Sequence, residues 1–273
     1  MFIQPAQTDW DTFYENLNRR TGLDLKLYRP EQLQRRLLTI LRSRGFESLD
    51  EFWRFLNIEP SNIPWLLDRL AINVSELYRN PEKWVELRRA ILPQMLKRSE
   101  KLKVWSAGCS FGAEAYTLGV VLQQLGAGDR AKIIGTDIDE AALAMAREGA
   151  FTDSDMRAVP ADVRYKYFSR SDDGKWIAGD AIRKNIEFRK GNLLRDRYDN
   201  DYDLILCRNV VIYFTDETKK TLFNKFFHAL KPGGILFVGS TERIFNAEAI
   251  GFETPLPFFY QKPYEEGKWQ NAS

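Results

Sequence analysis

Val104-Trp-Ser-Ala-Gly-Cys-Ser-Phe-Gly-Ala-Glu-Ala-Tyr116 is the most informative segment of this chain. It has the pattern of an apolar strand that ends in a glycine-containing turn, followed by a helix that carries Glu114. Such a turn presents backbone N–H groups and a helix N-terminus to a ligand. A second apolar strand ends in Asp137, about 25 residues after Gly112, where a βαβ unit binds the ribose of a nucleoside. The pattern predicts a nucleoside-cofactor site; the alternative is a turn that serves packing alone.

From residue 102 onward, apolar strands alternate with helices. Strands are predicted near 103–107, 132–136, 186–189, 202–207 and 234–239, and helices near 113–125, 139–148 and 216–230. This alternation is typical of an α/β domain with a mainly parallel sheet. Phe258–Tyr260 is predicted to pair at the sheet edge. Tyr165–Phe168 and Lys175–Ala178 flank Asp172-Asp-Gly174 and predict a small β-hairpin subdomain within about 150–185.

The first part of the chain has helical periodicity only. Helices are predicted at roughly 8–20, 30–44, 48–57, 62–71 and 81–97. We therefore expect an all-helical N-terminal domain at 1–85, an α/β domain at 86–263 and a flexible tail at 264–273.

Composition limits the classes of function. The 273 residues carry a net charge of +2, two cysteines and one histidine, which speaks against a surface devoted to nucleic acid, a disulfide framework and a histidine-rich metal site. No signal-like N-terminus or long apolar run is present, so we expect a cytoplasmic protein without membrane insertion. Positive charge is concentrated in residues 26–46, which contain six Lys or Arg residues and only one acidic residue, Glu31.

The type of cofactor follows from motifs that are missing. Gly-x-Gly-x-x-Gly, which nicotinamide cofactors require, is absent, and so is a phosphate-binding Gly-Lys-Ser/Thr loop. A nucleoside held by carboxylates, without phosphates, remains. S-adenosylmethionine fits this description, and no metal is expected.

Several motifs resemble those of the chemotaxis receptor methyltransferase (CheR) family, in order and spacing, over about residues 8–262. They are Asn73-Val-Ser75-Glu-Leu-Tyr-Arg79, Ser106–Tyr116, Thr136-Asp137-Ile-Asp139, Gly191-Asn192-Leu193 and Cys207-Arg208-Asn209-Val-Val-Ile-Tyr213-Phe214. The resemblance implies a class I S-adenosylmethionine-dependent, Rossmann-like methyltransferase domain beside the helical domain. It also implies methyl transfer to glutamate side chains of chemoreceptor cytoplasmic helices, with S-adenosylhomocysteine as product.

The resemblance further implies roles for individual residues. Arg79 and Tyr213 would face the reacting carboxylate, and Arg35, Arg36 and Arg42 would form the basic helix that docks the receptor. The cofactor would be surrounded by Asn73, Ser75, Arg79, Gly108, Glu114, Asp137, Asn192, Leu193, Arg208 and Asn209.

Other interpretations remain for the same residues. Arg79 is alternatively a structural cap, Tyr213 a half-buried aromatic, and the arginine face a solvated surface or an RNA contact. At the level of function, the alternatives are a non-catalytic S-adenosylmethionine-binding signalling module and a methyltransferase of the same fold acting on RNA. Nucleic acid is the less favoured partner, because Arg208-Asn-Val-Val lacks an Asn/Asp-Pro-Pro-aromatic motif.

Overall fold

A computed structural model describes residues 4–70 and 75–264 of the chain, apart from the side chain of Asp68. The chain forms two compact units. The first combines Met1–Ile72 with Ile212–Lys220, and the second combines Asn73–Val211 with Thr221–Ser273. The predicted domain boundaries remain a prediction, and the predicted tail lies outside the described residues except for Tyr264.

The first unit is helical in its N-terminal part. Its helices are α1 (Gln7–Thr21), α2 (Pro30–Ser43), α3 (Leu49–Ile58) and α4 (Asn62–Leu70). Pro30 stands in the first turn of α2, where its missing N–H is not needed. The Ser48 hydroxyl accepts a hydrogen bond from the Glu51 N–H and caps α3. The buried side chains are mainly large and apolar, among them Trp10, Phe13, Leu17, Leu37, Leu41, Phe52, Leu56 and Leu66.

Residues 212–220 belong to this helical unit through their backbone. The Arg29 N–H donates to the Tyr213 carbonyl at 2.9 Å, and the Thr215 N–H donates to the Leu27 carbonyl at 3.1 Å. The rings of Tyr28 and Phe214 pack edge to face with centroids 5.0 Å apart. The backbone of Tyr213 is therefore fixed within the first unit.

The second unit is built on a seven-stranded sheet. Its strands are β1 (Leu102–Ala107), β2 (Ala131–Asp137), β6 (Ile186–Lys190), β7 (Tyr202–Cys207), β8 (Leu230–Val238), β9 (Glu253–Leu256) and β10 (Phe259–Gln261). The order is β6-β2-β1-β7-β8-β10-β9, and the first five strands are parallel. The predicted α/β class with a mainly parallel sheet is confirmed.

Helices precede and connect these strands. They are α5 (Pro81–Glu86), a π-helical turn (Leu87–Ile91), α6 (Leu92–Arg98), α7 (Ala113–Gln124), α8 (Glu140–Glu148), α9 (Ala161–Tyr167), α10 (Asp180–Arg183), α11 (Asp216–Ala229) and α12 (Ala247–Ile250). Nine of the first ten residues of α7, all except Glu114, are buried, as expected for a helix that is apolar on every side.

The structure corrects two details of the predicted strands. Phe259–Gln261 pairs with β8 on one side and with β9 on the other, so β9 forms the edge. The predicted strand at Tyr165–Phe168 is mostly α9 (Ala161–Tyr167), which buries Val163 and leaves Tyr165 exposed; β4 (Phe168–Arg170) begins only at its end. β4 and β5 (Trp176–Ala178) form the expected hairpin, which β3 (Ala150–Phe151) extends to three strands.

The strand order sets the position of the site. From β1 the chain continues to β2 on one side, and β7 lies on the other side of β1. In open α/β sheets, ligands bind at such a reversal, beyond the carboxyl ends of the strands. The segments that follow β1, β2, β6 and β7 all lie at this edge.

Candidate cofactor and active site

The turn after β1 is shaped by a close approach to the segment after β7. Gly108 has φ +78°, and a Cβ at this position would lie 2.6 Å from Val210 Cγ2. The Gly108 and Cys109 N–H groups both donate to the Thr136 carbonyl, at 2.8 and 2.9 Å. Glycine is therefore required at 108 both for its conformation and for the space.

Asp137 lies at the end of β2 and is tied to the neighbouring turn. Its Oδ2 accepts from the Ser110 N–H at 2.7 Å, and its Oδ1 accepts from the Asp139 N–H at 3.0 Å. Burial raises the pKa of this carboxyl above its ordinary value, although the two backbone donors offset part of the effect. Because each carboxylate oxygen has two acceptor positions, Asp137 keeps capacity for hydroxyl groups of a ligand.

Glu114 is a nearly buried carboxylate in the first turn of α7. Its side chain is 12% exposed, and its Oε1 accepts from the Ser106 hydroxyl at 2.7 Å. Its Oε2 lies 3.7 Å from Arg208 Nη1. Burial raises the pKa of Glu114, and the attraction of Arg208 and the Ser106 hydrogen bond offset only part of this shift.

Arg208 follows β7 and is the buried cation of the site. Its Nη2 donates to the Arg79 carbonyl at 2.8 Å and to Asn80 Oδ1 at 3.1 Å. The guanidinium carbon lies 5.3 Å from the Trp84 ring centre and 4.7 Å from that of Phe237. Burial lowers the pKa of this arginine. Within the described residues, its Nε has no hydrogen-bond partner.

Arg79 stands in a strained turn. Its neighbours Tyr78 and Asn80 both have φ 58°, a region that bulky residues rarely adopt. The Tyr78 N–H donates to the Thr117 hydroxyl at 3.0 Å, and the Trp84 Nε1 donates to the Arg79 carbonyl at 3.0 Å. Strain held in place by several contacts is typical of a functional segment.

Asn192 and Leu193 lie in the segment after β6. The Gly191 N–H donates to the Asp137 carbonyl at 2.9 Å, which joins this segment to the end of β2. The Asn192 side-chain oxygen accepts from the Leu194 N–H at 2.9 Å, and Lys225 Nζ donates to the Leu193 carbonyl at 3.1 Å. These hydrogen bonds hold the segment in place beside the end of β2.

Comparison with known proteins gives the family. The family model described as CheR methyltransferase, SAM binding domain, matches residues 73–254, and CheR methyltransferase, all-alpha domain, matches residues 8–71. The chain belongs to the CheR methyltransferase family. This confirms the family and the class I fold expected from the sequence motifs.

Curated relatives of this CheR chain match it over nearly its whole length. It is 35% identical over 261 residues to a chemotaxis protein methyltransferase of Listeria monocytogenes, which covers 95% of this chain and 99% of that protein. It is 30% identical over 258 residues to chemotaxis protein methyltransferase 1 of Pseudomonas aeruginosa, covering 89% and 93%. It is also 30% identical over 250 residues to a chemotaxis protein methyltransferase of Borreliella burgdorferi, and the match covers 87% of this chain and 88% of that protein.

The structure brings many of the predicted CheR site residues to one edge. Those at or beside the carboxyl ends of the parallel strands are Gly108, Glu114, Asp137, Asn192, Leu193, Arg208 and Asn209. Arg79 joins them through its carbonyl. Asn73 lies outside the described residues, and Ser75 is described as half-buried just before the strained turn. The role of each residue remains a prediction.

The remaining predicted residues of this family lie in the helical unit. Tyr213 is half-buried there. Arg35 and Arg42 are exposed on α2, whereas Arg36 is half-buried and its Nε donates to the Arg69 carbonyl at 2.6 Å. Arg36 therefore also has a structural contact, which the helical pattern did not predict.

The residues of the edge fit a sulfonium nucleoside cofactor. Asp137 offers acceptors for ribose hydroxyls, Glu114 offers an anion beside Arg208, and Arg208 Nε is a buried donor that lacks a protein acceptor among the described residues. An unsatisfied buried donor costs about 1–3 kcal/mol, which a ligand acceptor would remove. The match to a SAM binding domain agrees with this set of groups.

One functional candidate was missed. Glu242 is a buried carboxylate in the segment after β8, with 4% of its surface exposed, and it hydrogen-bonds the backbone at Asn209. The sequence signal was weak: in Gly239-Ser-Thr-Glu242 the acid follows an apolar strand, but it does not end the strand as Asp137 does.

The described residues, 4–70 and 75–264, contain neither a membrane-spanning helix nor a metal-binding cluster. No helix there has both the length and the apolar character needed to cross a membrane. No cluster of three or more His, Cys, Asp or Glu side chains there has an arrangement that would hold a metal ion.

Proposed function

We propose that this CheR chain transfers a methyl group from S-adenosylmethionine to glutamate side-chain carboxylates of chemoreceptors, which forms glutamate methyl esters in sensory adaptation. The observation that carries the proposal is the match to chemotaxis protein methyltransferases over nearly the full length of both proteins. Substrates of this class, the cytoplasmic helices of receptors, would locate the reaction in the cytoplasm.

The chemistry suits the residues that the chain offers. When bound, S-adenosylmethionine supplies an electrophilic methyl group on a sulfonium cation. A glutamate acceptor has a reference pKa of about 4.3, so it is already ionised at neutral pH and needs no general base. The chain has one histidine, His228, and the proposed reaction does not require it. The task of the protein is to position the acceptor and exclude water.

We assign the cofactor to the edge formed by Gly108, Glu114, Asp137 and Arg208, with S-adenosylhomocysteine as the product that leaves it. The acceptor carboxylate is assigned to Arg79, whose guanidinium provides the charge, and to Tyr213, whose hydroxyl donates a hydrogen bond. The receptor helix is assigned to α2 through Arg35, Arg36 and Arg42. Asn73, Ser75, Asn192, Leu193 and Asn209 complete the proposed cofactor set.

The decisive experiment uses methyl-labelled S-adenosylmethionine and membranes that carry the host's chemoreceptors. We expect label in the receptor band, released as volatile methanol by mild base, because carboxyl methyl esters are base-labile. Cofactor binding without transfer would instead indicate a non-catalytic signalling module. Base-stable label in nucleic acid would indicate another substrate, and either result would overturn the proposal.

Two variants test the assigned roles. Arg79→Ala is expected to weaken both cofactor binding and transfer, because it removes a guanidinium group that acts electrostatically on Glu114 and Arg208. Tyr213→Phe is expected to lower turnover about tenfold or more while cofactor affinity stays within about twofold. Calorimetry and the methyl-transfer assay measure the two effects separately. Full activity of both variants would contradict the assignment.

A further inference from the structure

Thr117 is a buried residue of α7 whose hydroxyl bonds beyond its own helix. The residue has 0% of its surface exposed. Its hydroxyl donates to the Ala113 carbonyl at 2.7 Å and accepts from the Tyr78 N–H at 3.0 Å. A threonine hydroxyl has one hydrogen to donate, so the bond to Ala113 leaves its lone pairs for Tyr78. Thr117 therefore joins α7 to the turn that carries Arg79.

This turn has a strained backbone that needs support. Tyr78 and Asn80 both have φ 58°. Asparagine tolerates the left-handed conformation, but a bulky residue such as tyrosine rarely adopts it, and the surrounding structure has to hold it there. Tyr78 is buried, and a buried N–H without an acceptor destabilises the conformation that buries it. The hydrogen bond from Tyr78 to Thr117 thus stabilises the strained conformation directly.

Arg208 holds the other side of the same turn. Its Nη2 donates to the Arg79 carbonyl at 2.8 Å and to Asn80 Oδ1 at 3.1 Å, and its Nη1 lies 3.7 Å from Glu114 Oε2. Glu114 and Thr117 are three residues apart on α7, so they lie on one face of that helix. These contacts form a closed ring from α7 through the turn and Arg208 back to α7.

The ring determines where the side chain of Arg79 begins. The residue before it is bonded to Thr117 and the residue after it to Arg208, so its backbone has little freedom. The Arg79 guanidinium acts electrostatically on both Glu114 and Arg208. The turn therefore brings a positive charge within range of the buried ion pair, and it does so through a backbone conformation that the chain does not prefer.

We infer that Thr117 is a positioning residue: its hydroxyl holds the turn at 78–80 on α7 and thereby keeps Arg79 in place for the cofactor. This inference rests on the proposed function only in assigning the cofactor to this edge and to Arg79. It does not depend on which acceptor receives the methyl group.

The test measures the dissociation constant of S-adenosylhomocysteine by calorimetry, without any transfer reaction. Thr117→Val nearly keeps the size of the side chain but removes the acceptor of the Tyr78 N–H, and we expect the constant to rise about tenfold. Thr117→Ser keeps the hydroxyl and should bind within about twofold of the wild type. Thr12→Val, on α1, removes an exposed hydroxyl that also donates to the carbonyl four residues earlier. It is the matched control and should leave the constant unchanged.

Thermal unfolding separates positioning from a loss of folding. Thr117→Val should unfold at a lower temperature because a buried N–H is left without an acceptor, so all variants are compared at a temperature at which each is folded. An unchanged constant in folded Thr117→Val would limit the residue to structural support and overturn the inference. Equal weakening in Thr117→Val and Thr117→Ser would also overturn it, since the hydroxyl would then not be the responsible group.

A double-mutant cycle shows whether Thr117 acts through Arg79. When Thr117→Val is added to Arg79→Ala, the constant should rise by less than about twofold further, because the side chain to be positioned is already gone. A further rise of about tenfold would mean that Thr117 acts independently of Arg79, which contradicts the inference.

The two proposals fail in different ways. A wild-type protein that binds S-adenosylhomocysteine but yields no base-labile label would contradict the proposed acceptor and leave the inference on Thr117 standing. Base-labile label in the receptor together with an unchanged constant in Thr117→Val would overturn the inference alone. A wild-type protein that binds neither S-adenosylmethionine nor S-adenosylhomocysteine would overturn both.

Discussion

The ionised form of Glu114 carries a cost to stability. Burial raises its pKa and lowers that of Arg208, so for both groups the loss of hydration exceeds the attraction between them across 3.7 Å. An acid with a raised pKa in the folded state binds its proton more tightly there than in the unfolded chain. Its contribution to stability therefore falls as pH rises from the ordinary pKa through the raised pKa.

This gives the first prediction, for Glu114→Gln. At neutral pH the ligand-free variant should unfold at an unchanged or higher temperature than the wild type, because the buried charge is gone. Its affinity for S-adenosylmethionine should fall about tenfold, since a charged partner is lost. Thermal unfolding and calorimetry measure the two effects. A lower unfolding temperature at neutral pH would mean that Glu114 stabilises the fold.

Single residues also show what the sequence can predict. Asp137 was recognised because it ends an apolar strand within a βαβ unit, and the structure places it beside the turn after β1. Glu242 was missed because it stands four residues past the last residue of β8, and only the folded loop brings its carboxylate back to Asn209. Spacing predicts side chains at strand ends better than side chains that return from a loop.

At the scale of elements, α2 combines an apolar stripe with arginines that differ in their contacts. Leu33, Leu37, Ile40 and Leu41 are buried, as the helical period predicts. On the polar side, however, Arg36 donates to the Arg69 carbonyl at the C-terminal end of α4, whereas Arg35 is exposed. The C-terminal carbonyls of a helix lack partners within the helix, so Arg36 satisfies one of them.

The second prediction follows from this difference. Arg36→Ala should lower the free energy of unfolding by about 1 kcal/mol through the lost hydrogen bond, and Arg35→Ala should change it by less than about 0.5 kcal/mol. Urea unfolding of the two variants is the measurement. If both arginines dock the receptor, both variants raise KM for it. Equal stability of the two variants would contradict a structural role for Arg36.

One carboxylate, Asp153, joins two strands of the small sheet β3-β5-β4 through its side chain. Asp153 accepts from Arg170 Nη1 at 2.8 Å, from Arg170 Nη2 at 3.0 Å and from Trp176 Nε1 at 2.8 Å. The hydrogen bonds from Arg170 and then Trp176 lower the pKa of Asp153 to about 2. An acid with a lowered pKa adds stability above its ordinary pKa, and this contribution is lost as pH falls toward the lowered value.

The third prediction therefore concerns Asp153→Asn. Hydrogen exchange of residues 168–178 should be faster than in the wild type at neutral pH, and the difference should shrink between about pH 4 and pH 2 as the wild-type carboxyl is protonated. Asp172→Asn, in the hairpin turn, removes the same charge and is the matched control. Equal exchange in both variants at neutral pH would show that Asp153 does not hold the hairpin.

At the scale of the whole molecule, the alternation of strands and helices was enough to predict the parallel sheet, because each right-handed crossover is local in sequence. The antiparallel end was predicted less well. β10 inserts between β8 and β9, so the strand that follows β8 in the sequence, β9, is not its neighbour in the sheet. The affiliation of residues 212–220 with the helical unit was likewise not visible, since in the sequence the segment follows β7 and runs into the first residues of α11.

Charge is distributed unevenly over the molecule. The chain has 40 Lys and Arg against 38 Asp and Glu, yet residues 26–46 carry six basic side chains and one acidic one. If this segment docks an acidic receptor helix, the attraction acts between exposed groups and is screened by salt, with a Debye length of about 10 Å at 0.1 M. The cofactor edge is buried in the second unit and is screened much less.

The fourth prediction is that salt separates docking from cofactor binding. Raising ionic strength from about 0.05 to 0.3 M should raise KM for the receptor about three- to tenfold, while the dissociation constant of S-adenosylmethionine changes less than about twofold. In Arg35→Ala/Arg42→Ala the salt dependence should flatten; in Arg19→Ala/Arg20→Ala, exposed at the end of α1, it should persist. If KM for the receptor does not depend on ionic strength, or if its salt dependence decreases equally in both double variants, α2 is not part of the docking surface. A KM that responds only through Arg35 and Arg42 would mean that the helical unit selects the receptor by charge and the second unit selects the cofactor independently.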